Sequence, residues 1–209
     1  MDDRTAFRTA VRHVTAHYER YLPVLETEGV WKVLVECLAV GDEGAAPHNE
    51  FGVAVVQSTF PFAEFASGSI RVRNELALRT AHTGALRVAR YYGWPEAPFE
   101  TARAGVIGDD FHNVWVWKSK RHAKSRRNGE LRCEHEHDAF RAWLVIKDAV
   151  GRALAEKQVI QEQPSERSFV PLLGKLDWVS DQAVALISKA GEEVGRLELD
   201  APGADHSAT

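Results

Sequence analysis

An α+β fold, mainly antiparallel β-sheet with helices in the first half, is the architecture this sequence predicts. Three observations carry it. Apolar residues recur at three- and four-residue spacing over residues 3–22, a second helix-compatible stretch covers 75–93, and short β-rich segments punctuated by Gly-containing turns fill the chain from Trp115 onward. At 209 residues and 44% hydrophobic content, the chain has enough apolar material for an ordinary globular core. The reading is one α+β domain over residues 1–199 and a mobile tail over 200–209, where Asp-Ala-Pro-Gly-Ala-Asp-His-Ser-Ala-Thr has no apolar pattern.

The first helix rests on Phe7, Ala10, Val11, Val14, Tyr18, Tyr21 and Leu22, which share one face; Asp2 or Asp3 is the expected cap and Pro23 ends it. His13 and His17, four apart, share a side of it and read as a solvated, partly stacked pair rather than a metal pair. Trp31–Val40 and Phe51–Val56 read as two strands joined by the Gly/Pro loop 41–47. Glu36 falls within the first strand, where an ion pair or an exposed edge position accounts for it better than a catalytic role.

Over 75–93, Leu78, Ala81, Ala85, Val88, Ala89 and Tyr92 suit a helix packed on a sheet, with Asn74 as cap and Gly93 and Pro95 as the stop. Gly84 weakens a helix interior by about 1 kcal/mol, and Thr83-Gly84 could turn a hairpin, but the periodicity favours helix. The aromatic run Tyr91-Tyr92-Gly93-Trp94 is assigned to core packing. Later strands are expected at Ala142–Lys147, Arg152–Ile160, Ser168–Leu173, Ala183–Ser188 and Val194–Leu199, with turns at 148–151 and 189–192.

Charge is distributed unevenly. Lys118–Arg132 holds seven Lys/Arg and one acid, Glu130; removing those from the totals of 26 and 30 leaves 19 basic and 29 acidic residues, so a basic segment sits on an acidic body. Taking Asn128-Gly129 as a two-residue type I′ turn pairs Arg127 with Glu130, Arg121 with Glu136 and Trp117 with Phe140, a protruding basic β-hairpin. One face of that ribbon then carries Lys118, Lys120, His122, Lys124 and Arg126 beside Cys133, His135 and His137, with no carboxylate among the cations. Lys118, Lys120, His122, Lys124, Arg126, His135 and His137 are therefore the expected anion-binding residues. Cys133-x-His135-x-His137 points one way, but its ends lie about 13 Å apart and its expected neighbours are lysines, so no metal is assigned.

The chain lacks a phosphate loop, a dinucleotide fingerprint, a nucleophile elbow, His-Glu-x-x-His and Cys-x-x-Cys, so no cofactor is expected. Only Asp109-Asp110-x-His112 offers an acid–base grouping. The function expected is non-enzymatic binding of nucleic acid or another polyanion, as sequence-independent contact. An enzyme for an anionic substrate, using Asp109, Asp110, His112 or the His135/His137 pair, and a module for an acidic protein partner are the alternatives. No apolar leader or bilayer-length segment is read, and Cys37 and Cys133 suggest no disulfide framework, so a cytoplasmic location without membrane contact is expected.

Overall fold

The computed structural model describes residues 3–199; the expected caps Asp2 and Asp3, as side chains, and the expected tail at 200–209 lie outside it. The described residues form an α+β structure with five α-helices and three mainly antiparallel sheets. The chain divides into two compact units, Met1–Asn113 and Val114–Thr209. No described helix is long and apolar enough to cross a membrane.

In the first unit, α1 (Asp3–Tyr21) follows the apolar spacing that predicts it. It is followed by β1 (Lys32–Leu38), β2 (His48–Glu50), β3 (Val53–Thr59), the short α2 (Phe62–Ser67), the long α3 (Ile70–Tyr92) and α4 (Ala97–Gly108). The sheet order is β1-β3-β2, with β1 parallel and β2 antiparallel to β3. A tight turn at Phe51-Gly52, both at positive φ (52° and 85°), returns β2 onto one edge of β3 and leaves the other edge for β1.

Helix α3 begins earlier than the sequence suggests. Its cap is Ser69, whose hydroxyl accepts from Val72 N, whereas Asn74 lies buried within the helix and meets His13 Nε2 through its side-chain oxygen at 2.9 Å. It ends as expected at Gly93, in the left-handed conformation at φ 71°. Gly84 is helical because the helix crosses β1 there: a Cβ would run into the Val35 side chain. Val88 thereby reaches Ala54 and Val56, while the other side of α3 packs Leu78, Ala85 and Ala89 against Val14, Tyr18, Phe99, Ala102 and Val106 of α1 and α4. Tyr92 and Trp94 stack at 5.2 Å and join the core as expected, whereas Tyr91, assigned to the core with them, is 56% exposed.

The second unit consists of two antiparallel sheets around one core. The first runs in sequence order: β4 (Val114–Arg121), β5 (Asn128–His135), β6 (Phe140–Lys147) and β7 (Ala153–Glu162). After α5 (Glu166–Phe169) and a single 3₁₀ turn (Val170–Leu172), the chain adds β8 (Lys175–Trp178), β9 (Ala183–Ile187) and β10 (Glu193–Glu198), paired in that order. The expected strand at Ser168–Leu173 is thus helical. Pro171 suits the first positions of that 3₁₀ turn, and Phe169 stacks on Phe140 with ring centroids 3.8 Å apart. The core gathers Leu131, Cys133, Leu144 and Ile146 from the first sheet with Leu176, Val184, Leu186 and Leu197 from the second. Each such leucine or isoleucine contributes roughly 1.5–3 kcal/mol through burial.

The turn at Asp148–Gly151 forms as expected, with Asp148 Oδ1 accepting from Val150 N at 3.0 Å and Arg152 N at 2.9 Å while Gly151 takes φ 88°. The turn at Lys189–Glu192 is closed by Ser188 N donating to Glu192 O at 2.7 Å.

Candidate anion-binding site

The basic segment does contain two adjacent antiparallel strands, but in a different register from the one a turn at Asn128-Gly129 implies. Arg121 faces Asn128, Lys120 faces Gly129 and Lys118 faces Leu131. The turn is the six-residue loop 122–127, eight residues of register away, and Asn128 and Gly129 already belong to β5. Strand β5 also pairs along its whole length with β6, so the segment lies in a four-stranded sheet rather than forming a free ribbon.

The physical reason is the alternation Gly129-x-Leu131-x-Cys133-x-His135, which puts every second residue of β5 into the core, where Leu131 and Cys133 are fully buried and His135 is 1% exposed. A strand with that pattern needs neighbours on both edges. Gly129 is required by close approach of the second sheet, since a Cβ on it would stand 2.9 Å from Val184 Cγ2, and its φ is not positive.

This register brings most of the cations to partners. Lys118 Nζ donates to Gly174 O at 3.0 Å and lies 4.3 Å from the Trp117 ring centre. Lys120 forms an ion pair with Asp177, which also holds Lys175, and the two lysines hold the Asp177 carboxyl down at a pKa of about 2. Trp178 Nε1 donates to Lys120 O at 2.8 Å, fastening β8 to β4.

His122 organises the loop: its Nδ1 accepts from Ser125 N at 3.2 Å and meets Ser125 Oγ at 2.9 Å, while Nε2 faces Asp181 at 3.4 Å. Lys124 Nζ lies 3.7 Å from the same aspartate, and Arg127 donates to Gln182 at 2.7 Å. The carboxylates missing from the expected hairpin are thus supplied by Asp177 and Asp181, more than fifty residues along the chain.

Two arginines differ. Arg121 and Arg126 line a recess of about 300 Å³ together with Asn128, Glu130, Lys147 and Asp148. Neither guanidinium has an ion-pair or side-chain hydrogen-bond partner among the described residues. Arg126 sits at φ 58°, a left-handed position that the loop fixes through Arg126 N donating to His122 O.

The acids of the recess are already engaged. Glu130 pairs with Lys147 at 2.6 Å and accepts from Asn128 Nδ2 at 2.9 Å, and Asp148 is held ionised by the backbone N–H and side chain of Arg152. The two arginines are therefore the charged side chains of the recess left without a partner among the described residues. Arg121 escapes sequence reasoning because the expected register pairs it with Glu136.

Of the remaining expected residues, His135 is removed from the surface, packed 5.3 Å from the Phe169 ring with Nε2 3.2 Å from Pro164 O. His137 is exposed in the turn between β5 and β6. Among the described residues, no group of three His, Cys, Asp or Glu side chains is placed to share a metal ion.

The acid–base grouping of the first unit has a structural occupation. Asp109 Oδ2 accepts from Tyr21 Oη at 2.6 Å and from His17 Nε2 at 2.9 Å, closing the end of α4 onto α1. Among the described residues His112 Nδ1 reaches only the backbone oxygen of Asp109, at 3.2 Å, and Asp110 pairs with Arg71. The sequence places His13 and His17 on a solvated edge; both are instead 1% exposed, because the α3 and α4 ends supply Asn74 and Asp109 as partners.

Comparison with protein-family models, with curated proteins and with solved structures finds no match for this chain.

Proposed function

We propose that the second unit is a non-enzymatic binding module that seats an anionic group of a polyanion, with nucleic acid as the class of ligand, against Arg121 and Arg126. The carrying observation is the pair of guanidiniums in one recess that have no ion-pair or side-chain hydrogen-bond partner among the described residues, beside a segment whose other cations are engaged within the fold. A guanidinium presents a planar fork of donors that matches phosphate oxygens, and two of them at one recess suit one phosphodiester or two successive ones. Lys124, 80% exposed and only loosely held by Asp181, extends the contact along the loop.

Of the expected seven residues this reading keeps Lys124 and Arg126 and adds Arg121. Lys118 and Lys120 are engaged by Gly174 and Asp177, His122 positions the loop, His135 supports the core, and His137 lies in the turn at the opposite end of β5 from the recess. The acidic remainder of the chain confines attraction to this edge, which predicts contact without sequence preference and with steep salt dependence.

The test is titration of fluorescent single- and double-stranded oligonucleotides across a salt series. The wild-type protein is expected to bind at low salt, and Arg121→Ala/Arg126→Ala to lower the log–log salt slope by about 2 with its fold retained. No measurable binding at low salt, or an unchanged slope in the double variant, defeats the proposal. Absorbance at 260 nm that co-purifies and disappears with nuclease would separate nucleic acid from an acidic protein partner.

A further inference from the structure

The sheet of the first unit ends on two very different edges. On one side β2 is three residues long and exposes His48, Asn49 and Glu50, a short polar edge of the kind that discourages further pairing. On the other side β1 runs for seven residues, Lys-Val-Leu-Val-Glu-Cys-Leu, in unbroken register with β3 and without proline or bulge. Among the described residues no strand pairs with its outer edge. Leu34 is 45% exposed in the middle of it, and Trp31, just before it, is 72% exposed.

Two charges interrupt the strand, Lys32 and Glu36, and neither has an ion-pair partner among the described residues; Glu36 accepts only from Gln57 Nε2, at 3.2 Å. Four residues apart on one strand, they lie about 13 Å from each other and cannot pair within the chain.

We propose that β1 is a homodimer edge, occupied by β1 of a second copy running antiparallel about a two-fold axis at Leu34. This register sets Leu34 against Leu34, Val33 against Val35 twice, and Lys32 against Glu36 of the other copy twice. The alternatives lack this match. Centring on Val35 opposes Lys32 to Leu38 and Glu36 to Leu34, centring on Val33 opposes Lys32 to Leu34, and centring on Glu36 brings two carboxylates together. The strand is thus self-complementary in charge in one register, as an isologous interface requires, and the two three-stranded sheets would join into one of six strands.

Light scattering on the full chain after size exclusion, with circular dichroism as the folding control, tests this. The wild-type protein is expected at twice the chain mass. Lys32→Glu and Glu36→Lys each oppose like charges across the axis and are expected to run as folded monomers. An equimolar mixture of the two variants should return to dimer mass, because one chain then carries two acids where the other carries two lysines; the double exchange in one chain should also restore the dimer. A monomeric wild type, single variants that keep the dimer, or a mixture that stays monomeric overturns the proposal.

Discussion

Gly129 faces Val184 across the core of the second unit so closely that a Cβ would stand 2.9 Å from Val184 Cγ2, with Trp178 Cε2 at 3.5 Å. The residue that reads in the sequence as half of a tight turn is instead the point where two sheets touch. Gly129→Ala should therefore destabilise the second unit by about 1–3 kcal/mol, through overpacking rather than through backbone strain. The urea midpoint measures it; a variant as stable as the wild type would show that the sheets can separate at that point without loss.

Gly84 makes a parallel case with the opposite naive expectation. Alanine in place of glycine inside a helix ordinarily stabilises by about 1 kcal/mol. In α3 the added methyl would meet the Val35 side chain of β1, and β-branched Val35 has little freedom to turn away. Gly84→Ala is expected to lower stability, and Gly84→Ala/Val35→Ala to recover part of the loss by making room. A stabilised single variant would contradict the close helix–sheet approach.

What was legible in the sequence follows from how locally each feature is determined. Helices α1 and α3 depend on periodicity and on Gly93, all within the segment itself; α1 forms where the pattern puts it and α3 stops where Gly93 puts its end, while its start at Ile70 lies five residues before the expected one. The turns at Gly151 and Gly191 are legible for the same reason, since glycine there takes positive φ. Gly129 shows the limit: glycine also marks close approach, and only a second sheet dozens of residues away decides which use applies. Arg126 is already among the cations that the sequence singles out, but Arg121 becomes a candidate only once the register is known and Asp177 and Asp181 have claimed the neighbouring cations, a fact carried by tertiary contact. The buried alternation of Leu131, Cys133 and His135 was the available signal for a central strand, and it outranks a dipeptide turn motif.

Asp177 links the lysines to acid stability. Hydrogen bonds from Lys120 and then Lys175 hold its carboxyl at a pKa of about 2, below the ordinary 3.8. A depressed carboxylate contributes stability that is complete above the unfolded value and lost as pH falls through the folded one, so the window is about pH 4 to about 2. The side chain is 25% exposed, and solvent screening reduces the contribution to about 1 kcal/mol. Asp177→Asn should flatten the acid limb of the second unit's stability curve between those values while lowering stability at neutral pH. Equal acid limbs in the two proteins would show that the pair is too screened to matter.

His17 sets a second pH dependence, in the first unit. Its ring is 1% exposed, Nε2 bonds Asp109, and Nδ1 is buried without a hydrogen-bond partner among the described residues. Desolvation lowers its pKa below 6.5 against the opposing pull of Asp109, with Arg20 and His112 adding to the lowering. His82, beside Tyr18 and Glu100, is lowered by burial as well. Unfolded histidines then bind protons that the folded ones refuse, so stability is complete above about pH 6.5 and declines as pH falls toward the folded values. Glutamine at 17 can still donate to Asp109 but does not titrate. Urea midpoints of the first unit between pH 5 and 7 should therefore fall less steeply in His17→Gln than in the wild type, and least in His17→Gln/His82→Gln. Parallel curves in all three proteins would mean that both imidazoles are protonated equally in the folded and unfolded chain, which the burial of His17 Nδ1 argues against.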